Sequence, residues 1–128
     1  MNSNYKKPKI YLAGKADLTF FRESMMNDHR AKRYEFINPI TAIDHNLSQN
    51  IIIDLDLTLI SNSDCVIAYM NEYSAGTCME IFYARKYLNI PVVIISNDPK
   101  FEKDIWFEGL GCEFCDSIDK GIELIQNI

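Results

Sequence analysis

Two acidic residues, Glu80 and Asp56, are the groups in this sequence most able to carry chemistry. Glu80 follows a short loop after an apolar run, so we expect it in the first turn of a helix, where the backbone dipoles favour a charged carboxylate. An ionised carboxylate can act as a nucleophile at an anomeric carbon. The same position also suits an ordinary glutamate that only stabilises its helix.

Asp56 lies four residues after Ile52 and four residues before Ile60, so it shares a helical stripe with apolar residues that should face the core. Asp54 falls about 200° away around the helix axis and should face water. If Asp56 points toward Glu80, the two carboxylates form the pair that glycosyl transfer uses. With the helix rotated differently, Asp56 would instead be a surface aspartate.

The loop before Glu80 has the composition of a ligand-binding segment. Gly76 would let the backbone approach a ligand closely, and Ser74 could donate to a sugar hydroxyl or a phosphate together with the amides at the helix start. Ser74 and Thr77 could also be plain loop and cap residues. We expect Thr77 to cap a helix from residue 78 to about residue 88, with Met79, Phe82, Tyr83 and Tyr87 as its large apolar side chains.

The elements around these residues alternate between strand-like and helical patterns. Apolar, β-rich runs predict five strands, at residues 9–13, 34–39, 64–70, 91–96 and 113–116. Helical spacing predicts helices between the first four strands, near residues 15–33, 47–60 and 78–88, and a last helix at 117–126, while residues 98–111 are expected to form a loop.

This alternation predicts an α/β fold: one flavodoxin-like, Rossmann-like domain over residues 1–128, with residues 1–8 as a flexible segment. The expected sheet has five parallel strands in the order 2-1-3-4-5, with helices on both faces. Ligands bind such sheets beyond the carboxyl ends of the strands. The site is therefore expected among the loops at 14–17, 71–77 and 96–106.

The composition narrows the function classes. The 128 residues are 48% hydrophobic, which suits a single core, and the formal charge of −5 comes with scattered basic residues. A binder of duplex nucleic acid needs a concentrated basic surface, so we expect none. No apolar run is long enough for a signal peptide or a membrane span, which predicts a cytoplasmic protein without membrane contact.

Four cysteines are present, and two of them, Cys112 and Cys115, have C-x-x-C spacing. A structural zinc site needs four ligands, and the other two cysteines lie far upstream in apolar stretches. We therefore expect free thiols and no bound metal. A redox or metal module built on Cys112 and Cys115 is the alternative.

Several short motifs occur in a fixed order: Lys9-Ile-Tyr-Leu-Ala-Gly14, Asp56-Leu57, Asp64, and Ser74-x-Gly-Thr-x-x-Glu80-Ile followed by Tyr83-Ala84. In this order and spacing, over about residues 9–96, the sequence resembles the nucleoside 2-deoxyribosyltransferases and the related 2′-deoxynucleoside 5′-monophosphate N-glycosidases. The resemblance implies cleavage of an N-glycosidic bond, with transfer to another base or to water.

The resemblance also implies roles for individual residues. Glu80 corresponds to the nucleophile that forms a deoxyribosyl ester, and Asp56 to the acid that assists the departing base. Tyr11 and Gly14 match the loop that lines the pocket, although Tyr11 could equally be a core residue. No metal or organic cofactor is implied. Members assemble as dimers or larger oligomers in which a neighbouring subunit completes each pocket from the loop after the fourth strand, which here contains Asp104 and Trp106.

Two departures from the family pattern concern the substrate. Ser74 stands where the transferases acting on free nucleosides carry Asp, which favours a phosphorylated substrate. The monophosphate hydrolases, however, follow the glycine with a serine and an arginine, and this chain has Lys15, Ala16 and Asp17 there. Lys15 could hold a phosphate, whereas Asp17 would repel it. A rival function is a domain that binds a nucleotide or a nucleotide-derived signal without turnover.

Overall fold

Five parallel strands form one sheet in the order β2-β1-β3-β4-β5, as predicted. The computed structural model describes residues 6–127, so residues 1–5 of the segment predicted to be flexible lie outside the described range. The strands are β1 (Lys9–Ala13), β2 (Glu35–Ile37), β3 (Cys65–Tyr69), β4 (Val92–Ile95) and β5 (Glu113–Cys115). The strongest apolar runs thus became the central strands.

Helices cover both faces of the sheet, which confirms the layered architecture. They are α1 (Thr19–Met26), α2 (Pro39–Ala42), α3 (Gln49–Ser61), α4 (Ala75–Phe82), α5 (Ile105–Gly109) and α6 (Ile118–Ile125), with a 3₁₀ turn at His29–Ala31 and a π-helical turn at Tyr83–Tyr87. Apolar residues of α1 and α6 pack on one face. Those of α3, α4 and α5 pack on the other, which we call the α4 face.

The alternation of side chains along β1 decides what reaches the α4 face. Ile10 and Leu12 join the core under α1 and α6, whereas Tyr11 and Ala13 join the core under α3 and α4. Successive residues of a strand point to opposite faces, so this division follows from the strand itself. Tyr11 therefore projects toward the helices that carry Asp56 and Glu80.

The second strand is shorter than predicted because Pro39 begins a helix. Proline is well tolerated in the first helical turn, where its missing N–H has no partner to lose. The side chain of Asn38 caps this turn by accepting from the backbone N–H of Ile40 at 3.0 Å. The loop predicted at residues 98–111 likewise contains α5, which begins at Ile105, directly after the N-cap residue Asp104.

The start of α4 corrects the prediction that Thr77 caps this helix. The N-cap is Ser74, whose backbone is extended, and the helix begins at Ala75. Thr77 faces the sheet and is only 2% exposed. Glu80 is consequently the sixth residue of α4, beyond the first turn, so the expected effect of the helix dipole on its charge is wrong.

Several large apolar side chains of the helix predicted after Thr77 are exposed. Met79 is 69% exposed, Tyr87 is 73% exposed, and Phe82 is also exposed. Helical periodicity identifies an apolar stripe but not what covers it.

Within residues 6–127, no helix has the length and apolarity needed to cross a membrane.

Candidate active site

The hydroxyl of Tyr11 joins the two carboxylates singled out from the sequence. Tyr11 is 1% exposed at the centre of β1. Its hydroxyl donates to Glu80 Oε2 from α4, and Asp56 Oδ1 from α3 lies 3.4 Å from the same oxygen. Three elements that are distant in sequence thus place their polar groups around one atom on the α4 face.

The separation of the two carboxylates suits a particular chemistry. Their bonded oxygens both contact the Tyr11 hydroxyl, so they can be no more than about 6 Å apart, given ordinary hydrogen-bond lengths. Carboxyl groups roughly 5–5.5 Å apart characterise glycosidases that form a covalent glycosyl intermediate, whereas roughly 6.5–9.5 Å leaves room for a water molecule. The upper limit for Glu80 and Asp56 lies below the range that leaves room for a water molecule.

The charge of Glu80 is controlled by its surroundings. Burial raises its pKa to about 7, and the negative charge of Asp56 adds to this rise. The hydrogen bond from Tyr11 and the positive charge of Arg22 act in the opposite direction. Near neutral pH, Glu80 is therefore poised between its acid and its carboxylate.

Asp56 is half-buried, in agreement with its predicted position on the inward stripe of α3, and Asp54 is exposed as predicted. Burial raises the pKa of Asp56, while the Tyr11 hydroxyl and the charge of His45 lower it. Both acids raise the pKa of Tyr11, after burial, which has the largest effect. Tyr11 thus stays a neutral hydrogen-bond donor beside two carboxyl groups.

The loop after β1 needs glycine at position 14. Gly14 has a φ of +150°, and a Cβ there would lie 3.2 Å from the Tyr69 carbonyl oxygen and 3.2 Å from Leu18 Cδ1. A side chain at this position would be strained by this φ and would lie unusually close to atoms at the end of β3 and the start of α1. Gly14 therefore allows the loops after β1 and β3 to meet beside Tyr11.

Lys15 connects these two loops by pairing with Glu72, which follows β3. Both side chains are solvent-exposed, and each holds the other in its charged form, so the pKa of Lys15 is raised and that of Glu72 is lowered. Asp17 adds a further negative charge near Lys15. Lys15 already has anionic neighbours without any ligand.

The remaining predicted residues at the start of α4 differ in their exposure to solvent. Ser74 is half-buried and its hydroxyl accepts from Thr77 Oγ1 at 3.3 Å. Thr77 is buried, so its hydroxyl supports Ser74. A Cβ at Gly76 would meet no protein atom within 4 Å, so packing within the chain does not require glycine there. Their contacts to a substrate stay a prediction.

Asp104 and Trp106 lie on the other side of α4 from Glu80. They line a cleft of about 250 Å³ with Tyr73 and Cys78, and Cys78 falls about 200° around the helix from Glu80. Asp104 accepts from the backbone N–H of Trp106 at 2.9 Å and from the Tyr73 hydroxyl at 2.9 Å. Within one chain, the structure does not bring these two residues to the carboxylate pair.

Sequence reasoning missed one residue of the site, Arg22, which is 2% exposed and lies under the Gly14 loop. A signal for it existed, because Arg22 shares a helical stripe with Leu18 and Met25, as Asp56 shares one with Ile52 and Ile60. A charged residue on an inward stripe requires a partner in either case.

The burial of the four cysteines indicates that their thiols have a packing role. Cys65 and Cys115 are buried, Cys78 and Cys112 are half-buried, and all four are free. Burial raises the pKa of Cys112 to about 11 and that of Cys65 to about 12, so these thiols are protonated near neutral pH. Across residues 6–127, no three His, Cys, Asp or Glu side chains gather closely enough to hold a metal ion.

Comparisons with known proteins support the fold. No protein-family model matches the sequence, and no curated protein matches it either. A solved structure that it resembles is that of the CMP N-glycosidase BcmB of Clostridium botulinum, with a TM-score of 0.63 and 16% sequence identity. The match covers 92% of this chain and 97% of that chain. The two proteins therefore share their overall architecture.

Proposed function

We propose that this protein cleaves the N-glycosidic bond of a 2′-deoxynucleoside or its 5′-monophosphate through a covalent deoxyribosyl ester of Glu80. The observation that carries the proposal is the meeting of Glu80 and Asp56 at the Tyr11 hydroxyl. The fold shared with a CMP N-glycosidase supports cleavage of this bond type. The 2′-deoxy sugar and the alternative of transfer to a second base come from the sequence resemblance.

In the proposed reaction, a carboxylate oxygen of Glu80 attacks C1′ as the bond from C1′ to the base breaks. The bonding electrons pass to the base nitrogen, and Asp56 protonates the base directly or through water. In the second half, water or an acceptor base gives a proton to Asp56 and attacks C1′. The ester breaks, Glu80 leaves as a carboxylate, and Asp56 is again an acid.

This scheme requires one proton on the carboxylate pair, because Glu80 must be charged while Asp56 is an acid. Tyr11 suits such sharing, since its oxygen can accept from a protonated Asp56 while its O–H donates to the Glu80 carboxylate. Because the pKa of Glu80 is about 7, the proton on the pair is lost as the pH rises above 7.

Three observations bear on phosphorylation of the substrate. The pairing of Lys15 with Glu72 favours a free nucleoside, because a phosphate would have to displace one carboxylate and approach Asp17. Ser74 favours a monophosphate by the sequence resemblance, and the structural neighbour acts on a nucleotide. We place the free nucleoside first.

The experiment that tests this function is a panel of deoxynucleosides, their 5′-monophosphates and CMP, each with and without an acceptor base. Chromatography then detects released bases and exchanged products. The proposal expects a free base or an exchanged nucleoside from at least one substrate. Tight binding with an unchanged ligand after long incubation would instead support the rival function of a nucleotide-binding domain.

The shared proton gives an unusual pH dependence. For an ordinary deoxynucleoside, we expect kcat/KM to fall above about pH 7, because the pair then loses the proton that Asp56 must donate. For 7-methyl-2′-deoxyadenosine, whose cationic base leaves without a proton, kcat/KM should instead rise through pH 7 as Glu80 ionises. Initial rates from pH 5 to pH 9, corrected for spontaneous base loss, measure both profiles.

The opposite slopes are the decisive feature. Two profiles of the same shape would mean that substrate protonation does not decide the slope, and that Asp56 is not the proton donor.

We also propose that a second copy of the chain covers the α4 face. Exposed apolar side chains of its helices present on the order of 1,000 Å² of surface: Ile51, Ile53, Leu55, Met79, Phe82, Tyr87, Ile105 and Trp106. A stable interface buries about 800 Å² on each partner. Part of this surface, with Leu55 on α3 and Met79 on α4, belongs to the helices that carry Asp56 and Glu80, which fits sites shared between subunits.

The double variant Ile105→Glu with Trp106→Glu should convert an oligomer into a monomer, since both residues are over two thirds exposed and burying two new charges is costly. Sedimentation velocity at micromolar concentration measures the state. Met26→Glu is the matched control, because Met26 is an exposed apolar residue of α1, on the opposite face of the sheet. A wild-type monomer, or dissociation by the control alone, would refute the proposed interface.

A further inference from the structure

Arg22 is a charged residue in an unusual position. It is the fourth residue of α1 and is 2% exposed, and within residues 6–127 no other Lys, Arg, Asp or Glu is buried to this degree. Removing a guanidinium from water is expensive unless its charge and its N–H groups find partners. Its partners should therefore explain why the position carries arginine.

The guanidinium holds the loop that follows β1. Its Nη1 donates to the Lys15 carbonyl at 2.9 Å, and its Nη2 donates to the Gly14 carbonyl at 2.9 Å and contacts the Leu12 carbonyl at 3.4 Å. The planar fork of arginine can bond several carbonyls in a fixed geometry, which the single ammonium of lysine cannot. These bonds fix the turn beside Tyr11.

The carbonyls neutralise no charge, so the positive charge acts on the acids around the loop. The acidic neighbours of Arg22 are Tyr11, which stays neutral, and the carboxyl groups of Glu80 and Asp17; the buried Nε of Arg22 has no hydrogen-bond partner. Asp56 contacts the Tyr11 hydroxyl, and the charge of His45 acts on Asp56. In a poorly solvated site, a fixed cation stabilises a carboxylate several ångströms away.

We propose that Arg22 is a positioning residue of the active site: its buried guanidinium fixes the Gly14 loop and supplies the positive charge that favours the carboxylate form of Glu80. The role of the carboxylate rests on the proposed function, whereas the effect of Arg22 on Glu80 does not. Burial raises the pKa of Glu80, the hydrogen bond from Tyr11 lowers it, and the positive charge of Arg22 acts in the same direction as Tyr11.

Two variants separate charge from geometry. Arg22→Met removes the charge and the fork, and Arg22→Lys keeps the charge and removes the fork. Carbon-13 NMR follows the carboxyl carbon of Glu80, assigned by its loss in Glu80→Gln. In Arg22→Met, we expect the midpoint of the titration to rise by about half a pH unit or more. In Arg22→Lys it should rise by less than half as much, while amide exchange in residues 14–18 becomes faster in both variants.

The outcomes are distinct from those that test the reaction. An unchanged Glu80 midpoint in Arg22→Met would overturn the inference, and so would equal shifts in both variants, because the effect would then be one of geometry alone. Circular dichroism and thermal unfolding establish that each variant folds, and Arg22→Gln replaces Arg22→Met if the latter does not. The NMR midpoint needs no turnover, so it can be measured even if the substrate panel shows no base release.

Discussion

Glu80→Gln should reduce base release by about 10⁴-fold or more, because the amide cannot form the ester with C1′. The substitution keeps the size of the side chain and an oxygen that can accept from the Tyr11 hydroxyl. Single-turnover assays with the best deoxynucleoside of the panel measure the loss. Glu108→Gln, in the exposed part of α5, is the matched control and should keep full activity.

The same variant should be more stable than the wild type at alkaline pH. The pKa of Glu80 is raised from the usual 4.5 to about 7, so the fold disfavours the charged form, and the resulting destabilisation is present above pH 7. It disappears as the pH falls through 7 toward 4.5. Removing the charge should add up to about 3 kcal/mol to the free energy of unfolding at pH 8. Thermal unfolding at pH 8 and pH 5 measures this difference.

Lost activity together with gained stability would separate a role in the reaction from a role in folding. If Glu80→Gln keeps more than a tenth of the wild-type rate, Glu80 is not the nucleophile. If it is less stable at pH 8, its environment does not disfavour the charged carboxylate.

Asp56→Asn should reduce the release of an ordinary base by about 10²- to 10⁴-fold, the usual contribution of general acid catalysis. The asparagine retains the shape of the side chain and a group within reach of Tyr11. The loss should shrink to about tenfold or less for 7-methyl-2′-deoxyadenosine, since its base needs no proton to leave. The ratio of kcat/KM for the two substrates, in wild type and variant, measures the effect.

Asp54→Asn is a close control for this experiment. Asp54 lies two residues away on α3, is exposed, and has the same side chain. It should change neither the rate nor the ratio between the two substrates. An equal loss for both substrates in Asp56→Asn would assign Asp56 to binding or structure and remove it as the proton donor.

The sheet could be predicted because its strongest signals are local. The runs around Leu12, Ile67 and Ile94 are apolar over the length of a strand, and connections between parallel strands are almost always right-handed. Few topologies then remain. The inward position of Asp56 could be predicted for a related reason, since it follows from the helical period of one segment.

The start of α4 could not be read correctly because several residues of this loop suit a cap. Both Ser74 and Thr77 are good N-cap residues, and Gly76 lowers the helix propensity between them. Tertiary packing selects Ser74 as the N-cap, because Thr77 is buried. The error affected the interpretation of Glu80, which lies beyond the first turn and whose pKa is set by burial, the Tyr11 hydrogen bond and the charges of Asp56 and Arg22.

Long-range partners account for the other omissions. The pairing of Lys15 with Glu72 spans 57 residues, and the bond from Tyr73 to Asp104 spans 31. The apolar pattern of α4 also looks the same whether a core or a second chain covers Met79 and Tyr87. Periodicity along the sequence contains no information on such partners.

The most direct test of the central claim is to trap the ester. The enzyme is mixed with its best substrate, quenched in acid within the first turnover and digested, and the peptides are analysed by mass spectrometry. We expect a deoxyribosyl group on the peptide that contains Glu80, and its absence in Glu80→Gln. Base release at the full rate with an unmodified peptide, or with the sugar on another residue, would contradict it.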